Sequence, residues 1–430
     1  YYIPEYNMKT WKIISPSTPL GASEDDIVDM LLNNRGIKSK KEREEFMNPK
    51  LENVSLKSTG IDPASIRKTI RRISTAIKNN EKIIIYGDYD VDGICGAAIL
   101  WETLFGFYKN VMPYIPHRVE EGYGLSVRGI ENIVRTEKNI GLIITVDNGI
   151  VASDAVEFAT KNGIDVIITD HHVKSKKIPK AHTIIHTTKL CGAGVAYLLA
   201  QEIARIHNSE FIIHNSLELV ALATVADLVP LIGSNRALVR FGIESLQKTK
   251  RPGLLALFAE AQIEQGDIDV YKIGHIIAPR LNAAGRISHA MDSLRLICTK
   301  DQHRARKLAS HLSETNRNRQ LLTEESTLYA DSVTEVSEKI IFAHDAKYNQ
   351  GIIGLVASRL VEKHYKPSIV VAVGEKISKG SARSIQGFNI IEFLRMFSVH
   401  LIDAGGHPMA AGFTIETSRI EEFRVALIKS

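Results

Sequence analysis

The chain has 430 residues, of which 44% are hydrophobic and 24% are charged, and its net charge is +5. At about 150 residues per domain this length predicts two or three globular domains, and no apolar run approaches the roughly 18 residues that a membrane helix needs. Three cysteines without a C-x-x-C pair argue against a disulfide framework or a thiolate zinc site, and the absence of a secretory start predicts a cytoplasmic protein.

The first seventy residues are polar and have a helical pattern. The segment "SEDDIVDMLLNNRG" begins at a Ser that is typical of a helix N-cap and ends at a Gly typical of a helix C-terminus. From about residue 80, strand-like apolar runs at 82–86, 141–146 and 165–169 are each followed by helical patterning. This alternation predicts βαβ units and a mostly parallel sheet.

After about residue 235 the chain becomes mainly helical. Residues 301–333 contain neither Pro nor Gly, which predicts one long helix between two bodies, and strand-like runs return in "KIIFAH" and "SIVVAV". We predict four segments: an N-terminal helical arm (1–70), a parallel-sheet domain (71–235), a helical connector that includes the long helix (236–333) and a smaller α/β domain (334–430).

The segment "GDYDVDG" at 87–93 resembles the opening of an EF-hand calcium loop. The twelfth position counted from Asp88 is Ile99, where an EF-hand needs a bidentate Glu, and a strand-like run precedes the segment where an EF-hand has a helix. The calcium-loop interpretation therefore fails.

Acidic residues and histidines follow three predicted strands. They are Asp88, Asp90 and Asp92 after the first strand, Asp147 after the second, and Asp170, His171 and His172 after the third. Ligands bind at the carboxyl ends of the strands in an open parallel sheet, and Asp227, after the apolar stretch "ALATVA", could reach the same edge. A single Asp after a strand is usually a helix N-cap, and this alternative stays open for each residue alone.

Carboxylates this close together repel one another unless cations hold them. Oxygen ligands with one or two imidazoles suit Mn²⁺ or Mg²⁺ better than zinc. An Asp that bridges two ions would create a two-metal site for in-line attack on phosphorus, and Asp147 is the predicted bridge because its strand lies between the other two.

Two further patterns carry less information. "CGAGVAYLLA" at 191–200 has Tyr197 at the third glycine position of a dinucleotide fingerprint, so its glycines predict close helix packing instead. The basic clusters "RKTIRR", "KSKKIPK" and "NRNRQ" are a weak indication of nucleic-acid binding, and a solvated face is the favoured interpretation of each cluster alone.

Taken in order, the motifs "GDYDVDG", "VDNGI", "TDHH", "LCGAGVA" and "ATVADLVPL" resemble the DHH phosphoesterase superfamily. "PHRVEEGYGL", "APRLNAAGRI", "NRNRQ", "GIIGLVASRLVEK", "KGSARS" and "GGHPMAAGF" are similar to the RecJ-type single-strand exonucleases. The resemblance runs from about residue 10 to about residue 415. It implies an α/β fold in which a parallel-sheet DHH domain is joined by a long helix to a smaller α/β DHH-associated domain, with the substrate in the cleft between them.

The resemblance also implies site residues. The implied ligands of two Mn²⁺ or Mg²⁺ ions are Asp88, Asp90, Asp92, Asp147, His171 and Asp227. The residues with a predicted catalytic role are Asp90, Asp147 and His172, of which His172 is expected to face the phosphate. The predicted substrate contacts are Asn148 and His407 at the phosphate, Arg118, Arg280 and Asn282 at the DNA backbone, Tyr123 for base stacking, and Ser381 with Arg383 at a terminal phosphate. For Arg118 and Arg280 a structural ion pair stays open as the alternative.

The implied function is metal-dependent hydrolysis of single-stranded DNA from the 5′ end to mononucleotides, in DNA repair and recombination. Two alternatives are a phosphoesterase for short oligonucleotides or nucleotide second messengers, and a non-catalytic replication scaffold. Tyr86 stands where relatives that act on small substrates usually have His, which favours the RecJ branch, and retention of every acidic ligand argues against a scaffold.

The expected partners are single-stranded DNA and a recruiting helicase or single-strand-binding protein, with no membrane. Two departures from the family pattern concern length. "IIHTTKLCGAG" is shorter than the corresponding loop of relatives, and the chain stops before the OB-fold that is typical of bacterial RecJ proteins.

Overall fold

The computed structural model describes residues 14, 21–118, 120–175, 177–207, 216–334 and 339–429. The strands of the first sheet are β1 (Lys82–Gly87), β2 (Val111–Tyr114), β3 (Ile140–Val146), β4 (Asp165–Asp170) and β5 (Thr183–His186). They are all parallel and run in the order β2-β1-β3-β4-β5. The order reverses between β1 and β3, which is the switch point where open α/β sheets bind their ligands.

The predicted parallel sheet is confirmed, and the three predicted strands correspond to β1, β3 and β4. The short strands β2 and β5 were not predicted. β3 lies between β1 and β4, as expected for the strand that ends at Asp147.

Helices cover both faces of this sheet. The helices of the N-terminal half are α1 (Glu24–Asn34), α2 (Lys40–Met47), α3 (Leu56–Thr59), α4 (Pro63–Lys78), α5 (Val91–Phe107), α6 (Val127–Thr136), α7 (Ser153–Lys161) and α8 (Gly192–Ile206). Alternate residues of β1 enter different cores: Ile83 and Ile85 pack with α4, α5 and α8, whereas Ile84 packs with α6 and α7. The Ser cap predicted for the first helix is confirmed, because Ser23 Oγ accepts a hydrogen bond from the Asp26 amide.

A helical region follows, as predicted. Its helices are α9 (Leu217–Ala226), α10 (Gly233–Leu246), α11 (Pro252–Glu260), α12 (Val270–Lys272), the π-helical turn Ile273–Ile277, α13 (Ala278–Ile287), α14 (Met291–Cys298) and α15 (Gln302–Val333). The predicted long helix is confirmed: α15 has 32 residues, a length of about 48 Å at 1.5 Å per residue. Asp301 caps its N-terminus by accepting from the Arg304 amide at 2.6 Å.

The smaller α/β domain contains the second sheet. Its strands are β6 (Ile341–Asp345), β7 (Ser368–Ala372), β8 (Ile377–Arg383), β9 (Leu401–His407) and β10 (Ala410–Glu416), and its helices are α16 (Ile353–His364), α17 (Ile390–Arg395) and α18 (Ile420–Ile428). The order is β6-β7-β8-β10-β9, in which only β6 and β7 pair in parallel. Short 3₁₀ turns occur at Leu51–Asn53, Gln265–Asp267, Ser398–His400 and Thr417–Arg419.

Helix α13 connects the two bodies through very close backbone contacts. A Cβ on Gly285 would lie 2.5 Å from the carbonyl oxygen of Tyr89, beside the end of β1. A Cβ on Gly351, in the smaller domain, would lie 1.8 Å from the carbonyl oxygen of Arg286. The loop after β1 and the loop before α16 therefore both press on the end of α13.

The division at residues 70, 235 and 333 stays a prediction. Across the described part of the chain, no helix combines the length and the apolar character needed to cross a membrane.

We expect Gly351→Ala to lower the thermal unfolding midpoint measured by calorimetry, because its new methyl group would overlap the Arg286 carbonyl. Overpacking of this kind costs about 1–3 kcal/mol. Gly266→Ala is the matched control, since a Cβ there meets no atom within 4 Å. Equal midpoints for the two variants would contradict the close contact.

Candidate metal centre

The loop after β1 folds its three aspartates into different environments. Asp90 is the N-cap of α5: its Oδ1 accepts from the amides of Asp92 at 2.9 Å and Gly93 at 3.1 Å. One oxygen of Asp90 therefore acts as a helix N-cap, which is the alternative role left open for this residue. Asn282 of α13 supports the same turn, because its Oδ1 accepts from the Val91 amide at 2.9 Å.

Helix α8 holds the carboxylate of Asp92. The Gly192 amide donates to Asp92 Oδ2 at 2.6 Å, and the Ala193 amide donates to Asp92 Oδ1 at 2.7 Å. Amides at a helix N-terminus favour negative charge. A Cβ on Gly192 would lie 2.5 Å from that of Asp147, so a glycine is required where α8 meets the end of β3. The "CGAG" motif thus serves close packing at the acidic cluster.

Asp147 is buried directly after β3 with a left-handed backbone, φ 63°. Asp tolerates this conformation better than most residues, and non-glycine residues held in it cluster at functional sites. Its amide donates to the Thr169 carbonyl at 3.0 Å, and its Oδ1 lies 3.0 Å from His171 Nε2 and 3.8 Å from His172 Nδ1.

Two of these buried oxygens are left without a partner. In the described part of the chain, neither Asp88 Oδ1 nor Asp147 Oδ1 accepts a hydrogen bond, although His171 Nε2 lies 3.0 Å from Asp147 Oδ1 without forming one. Buried polar atoms are nearly always paired, so these oxygens point to a missing cation or donor.

Asp170 positions the neighbouring histidine. Its Oδ1 accepts from His172 Nδ1 at 2.8 Å and from the amides of His171 and His172, and its Oδ2 accepts from the Ile150 amide at 2.9 Å. Against the effect of burial, these bonds lower the pKa of Asp170. Burial alone would lower the pKa of His172, but the hydrogen bond and charge of Asp170 raise it to about 9. No site role was predicted for Asp170, although its place between a strand and two histidines was the available signal.

Burial and mutual repulsion act on the other carboxyl groups. Burial, followed by the charge of Asp90, raises the pKa of Asp88, and burial with the charge of Asp92 raises the pKa of Asp147. The same causes raise the pKa of Asp227 to about 8. A cluster of this kind is not stable as a set of anions unless positive charge is added.

Among the residues that the structure describes, three overlapping groups have ligand atoms within 4.8 Å of one another. They are Asp147–His171–His172, Asp92–His171–Asp227 and Asp88–Asp90–Asp147. Each of the six predicted ligands belongs to at least one group, and Asp147 and His171 each belong to two. Carboxylates with one or two imidazoles form a donor set that fits Mn²⁺ or Mg²⁺.

Asn148 is buried and committed to the backbone. Its Oδ1 accepts from the Leu125 amide at 3.0 Å, and its Nδ2 donates to the carbonyls of Tyr86 at 3.2 Å and Val146 at 2.8 Å. This arrangement favours a structural role over the predicted phosphate contact.

Tyr123 and Arg118 lie at the rim of the acidic cluster. The Tyr123 hydroxyl is 3.1 Å from His172 Nε2, and 51% of this residue is exposed. The Arg118 guanidinium lies 4.9 Å from the centre of the Tyr89 ring. Within the described ranges neither Arg118 nor Arg280 forms an ion pair, so the alternative of a structural ion pair is not realised.

Five arginines from separate segments are linked by the effect of their charges on one another's pKa, and we call them the arginine cluster: Arg118, Arg286, Arg319, Arg359 and Arg383. Burial and the charges of Arg118 and Arg319 lower the pKa of Arg286 to about 10. Burial and Arg118 also lower the pKa of Arg383. None of the five is paired with a carboxylate in the described residues, and the charge of Arg118 also acts on Asp88. An unneutralised positive surface therefore borders the acidic cluster.

The structure places the remaining predicted contacts as follows. Arg383 Nη1 donates to Ser381 Oγ at 3.1 Å, both on β8, while Arg280 Nη1 donates to the Ile276 carbonyl at 2.7 Å on the turn before α13. His407 is exposed at the end of β9. Sequence reasoning missed Arg286, Arg319 and Arg359, although "AAGRI", "NRNRQ" and "VASRL" contain them.

The sequence matches two known families and several curated proteins. Residues 82–224 match the DHH family, N-terminal domain, and residues 337–430 match the DHHA1 domain. The single-stranded-DNA-specific exonuclease RecJ of Bacillus subtilis is 38% identical over 376 residues, which is 84% of this chain and 47% of that protein. RecJ of Escherichia coli is 30% identical over 96% of this chain and 75% of that protein.

The solved structures that resemble this chain also include RecJ proteins. RecJ from Thermus thermophilus in complex with Mn²⁺ has a TM-score of 0.79 and 29% identity, covering 93% of this chain and 57% of that one. A structure of exonuclease RecJ bound to manganese has a TM-score of 0.75 and 32% identity, covering 85% of this chain and 94% of that one. The chain thus spans about half the length of Bacillus subtilis RecJ, at 47%, and the greater part of other relatives. With this identity and coverage, the chain belongs to the RecJ family of DHH-domain proteins.

Proposed function

We propose that this chain is a metal-dependent exonuclease that hydrolyses single-stranded DNA from its 5′ end and releases mononucleotides. The observation that carries the proposal is the acidic cluster at the switch point of the sheet, with its two unpartnered buried oxygens beside an unneutralised arginine cluster. The relatives in Bacillus subtilis and Escherichia coli bear the name single-stranded-DNA-specific exonuclease, and solved RecJ structures contain Mn²⁺ or Mg²⁺.

Two Mn²⁺ or Mg²⁺ ions would be held by Asp88, Asp90, Asp92, Asp147, His171 and Asp227. When bound, such ions supply Lewis-acid charge to a phosphoryl oxygen and an activated water as nucleophile. Asp147 is the best candidate for the shared ligand, because it belongs to two groups and its carboxylate, unlike the single ring nitrogen that His171 would offer, has two ligand oxygens. The hydrogen bond from the Asp147 amide to the Thr169 carbonyl and the left-handed backbone of Asp147 hold its carboxylate between these two groups of residues.

His172 would meet the scissile phosphate as a cation. Asp170 Oδ1 accepts a hydrogen bond from His172 Nδ1 and favours the charged ring. The Nε2–H, beside the Tyr123 hydroxyl, would then donate to a phosphate oxygen. Charge-assisted hydrogen bonds of this type are about twice as strong as neutral ones. Asp90 would contribute through its second oxygen, since its first caps α5.

The arginine cluster would bind the DNA backbone, together with Arg280 and Asn282. Backbone charges and aromatic stacking bind single strands without regard to sequence, and Tyr123 is exposed enough to stack on a base. Ser381 and Arg383 would hold the 5′-terminal phosphate, because a guanidinium and a hydroxyl on one strand can grip the same anion. His407 is a further candidate for a phosphate contact.

The two alternatives are less well supported. Tyr86 is buried and donates to the Gly124 carbonyl at 3.1 Å, so it braces the loop that contains Tyr123 instead of serving as a metal ligand. A phosphoesterase for small substrates would need neither that loop nor the long helix α15. A scaffold would not need the unpartnered carboxylates. We further propose that the enzyme acts in DNA repair and recombination in the cytoplasm and that a helicase or single-strand-binding protein recruits it.

Asp147→Asn should abolish hydrolysis of single-stranded DNA in Mn²⁺ while preserving the fold. The hydrolysis rate should fall by more than about 100-fold, which is the upper end of the loss expected when a residue that only orients a metal ligand is replaced. Initial rates and circular dichroism would be measured together. Asp154→Asn, at an exposed position on α7, is the matched control. Near wild-type turnover in a folded Asp147→Asn protein would refute the shared-ligand role.

The metal-free protein should lose stability as pH rises from about 4 to about 8. Asp88, Asp147 and Asp227 have a higher pKa in the folded protein than in the unfolded chain. Their contribution to the free energy of unfolding is therefore fully present below about pH 4. It is lost as the pH rises through the pKa values of these groups in the folded protein.

Thermal unfolding across this pH range, with EDTA or with Mn²⁺, measures the effect. Mn²⁺ should raise the midpoint most at the alkaline end, and Asp227→Asn should flatten the metal-free decline. A metal-free pH profile that is identical in wild type and Asp227→Asn would contradict the raised pKa.

Arg383→Ala should slow digestion of 5′-phosphorylated strands by roughly tenfold to a hundredfold, since a hydrogen bond to a charged group contributes about 1.5–3 kcal/mol. Strands with a 5′ hydroxyl should be digested slowly by wild type and at nearly the same rate by the variant. Substrates labelled at either end report both rate and polarity, and Arg395→Ala at an exposed position of α17 is the control. Equal slowing on both substrates, or digestion from the 3′ end, would overturn the end-recognition role.

A further inference from the structure

Leu228 occupies a position at the end of α9 that helices usually give to glycine. The C-cap of α9 is Asp227, and the Leu228 amide donates to the Val225 carbonyl at 3.3 Å. The Val229 amide donates to the Thr224 carbonyl, also at 3.3 Å, which completes a Schellman motif. The residue after the C-cap of this motif is left-handed, and Leu228 accordingly has φ 58°. A bulky side chain is unfavourable in this conformation, because its Cβ crowds the backbone.

The core does not use this leucine side chain. Leu228 is 86% exposed, the highest value among the large hydrophobic residues that the structure describes. Asn80 and Gln262 hold the same left-handed position after α4 and α11, with φ 54° and 55°, and both are exposed polar residues. Tyr365, which caps α16, is also large and left-handed, but no predicted metal ligand lies beside it in the sequence. Strained residues cluster at active sites and ligand clamps, so a use outside the fold is expected for Leu228.

Leu228 directly follows a predicted metal ligand. Asp227 Oδ2 lies 3.7 Å from His171 Nε2, so the end of α9 meets the loop after β4 at the acidic cluster. Val173 on that loop is 66% exposed, and Tyr123, at the rim of the same cluster, is 51% exposed. Three exposed side chains with apolar surface therefore border the acidic cluster, and we call them the apolar rim: Tyr123, Val173 and Leu228.

An apolar rim beside a metal centre suits unstacked bases. In a duplex the faces of the bases are covered by stacking, and an enzyme reaches them only after unstacking or on single strands. Every base has an apolar π-face, so contacts to base faces tolerate any sequence. Burial of a leucine side chain against such a face stabilises the complex through the hydrophobic effect. The apolar rim would therefore favour single strands without reading their sequence.

We propose that Leu228 is a specificity-determining residue of the exonuclease, whose side chain packs on the face of a base beside the scissile phosphate and favours single strands over duplex ends. This inference rests on the proposed function for the identity of the substrate. Asp227 would hold a metal ion while the next residue holds a base, so one turn of the chain would align the base with the scissile phosphate. The left-handed backbone keeps this leucine at the metal centre and out of the core.

Leu228→Asn removes the apolar side chain and keeps the turn, because Asn tolerates the left-handed conformation. On single strands it should lower kcat/KM by about fivefold to twentyfold, mainly by raising KM, whereas Leu228→Met should stay close to wild type. Blunt duplexes of the same sequence should be digested at the same rate by wild type and Leu228→Asn. Gln262→Asn, at the same position of the same motif after α11, is the matched control. Thermal unfolding and calorimetric Mn²⁺ binding should give the wild-type midpoint and affinity for every variant.

Strands with one abasic nucleotide test the base contact directly. The abasic residue is placed on one side or the other of the first scissile linkage at the 5′ end. Wild type should digest one of these two strands about fivefold to twentyfold more slowly than the intact strand. On that strand, Leu228→Asn should match wild type, because the contact is already lost. A variant that merely disturbed the fold or the metal ions would slow all strands equally.

Four results would overturn the inference. Leu228→Asn would digest single strands like the Gln262→Asn control, would slow intact and abasic strands equally, would slow single strands and blunt duplexes equally, or would lose Mn²⁺ affinity or thermal stability. A chain that degrades single strands and gives any of these results retains the proposed function and loses only the role of Leu228. A wild-type chain that degrades no DNA would instead overturn the proposed function, and this inference with it.

Discussion

Burial of several carboxyl groups at one edge of a parallel sheet is the constraint on which the rest of this structure depends. The pKa values of Asp88, Asp90, Asp147 and Asp227 are all raised, because burial and mutual repulsion disfavour their anions. The fold offsets part of this cost with fixed dipoles: the N-terminus of α8 faces Asp92, and Asp90 faces the N-terminus of α5. The remaining unpartnered oxygens explain why a cation is required.

Main-chain contacts fix the position of the smaller α/β domain relative to the acidic cluster. Gly285 and Gly351 allow α13 to touch the loop after β1 on one side and the smaller domain on the other. Asn282 adds a hydrogen bond to the first residue of α5. Arg286, between the two glycine contacts, is thereby placed within the arginine cluster. The arginine cluster and the acidic cluster are therefore fixed relative to each other by backbone packing.

Much of this could be predicted from the sequence because the strongest signals are local. β-branched runs that end in Asp identify β1, β3 and β4 and the residues at their carboxyl ends, and the absence of Pro and Gly over 301–333 identifies α15. β2 and β5 were missed because each has only four residues, and β2 contains Pro113, which local patterns do not assign to a strand. The family resemblance, not periodicity, supplied the substrate contacts.

Roles that depend on distant partners could not be predicted. The side chain of Asn148 is committed to Leu125 and Tyr86, and one oxygen of Asp170 accepts a hydrogen bond from Ile150, 20 residues earlier in the chain. The arginine cluster exists only because segments far apart in sequence converge around α13.

The central claim is that folding holds protons on this acidic cluster until metal ions replace them. Titration calorimetry of Mn²⁺ binding at pH 7, in buffers that differ in ionisation enthalpy, measures the protons released. The account predicts net proton release that decreases in Asp227→Asn, because the pKa of Asp227 lies at about 8 before metal binds. Binding of Mn²⁺ without proton release, or release that is the same in wild type and Asp227→Asn, would contradict it.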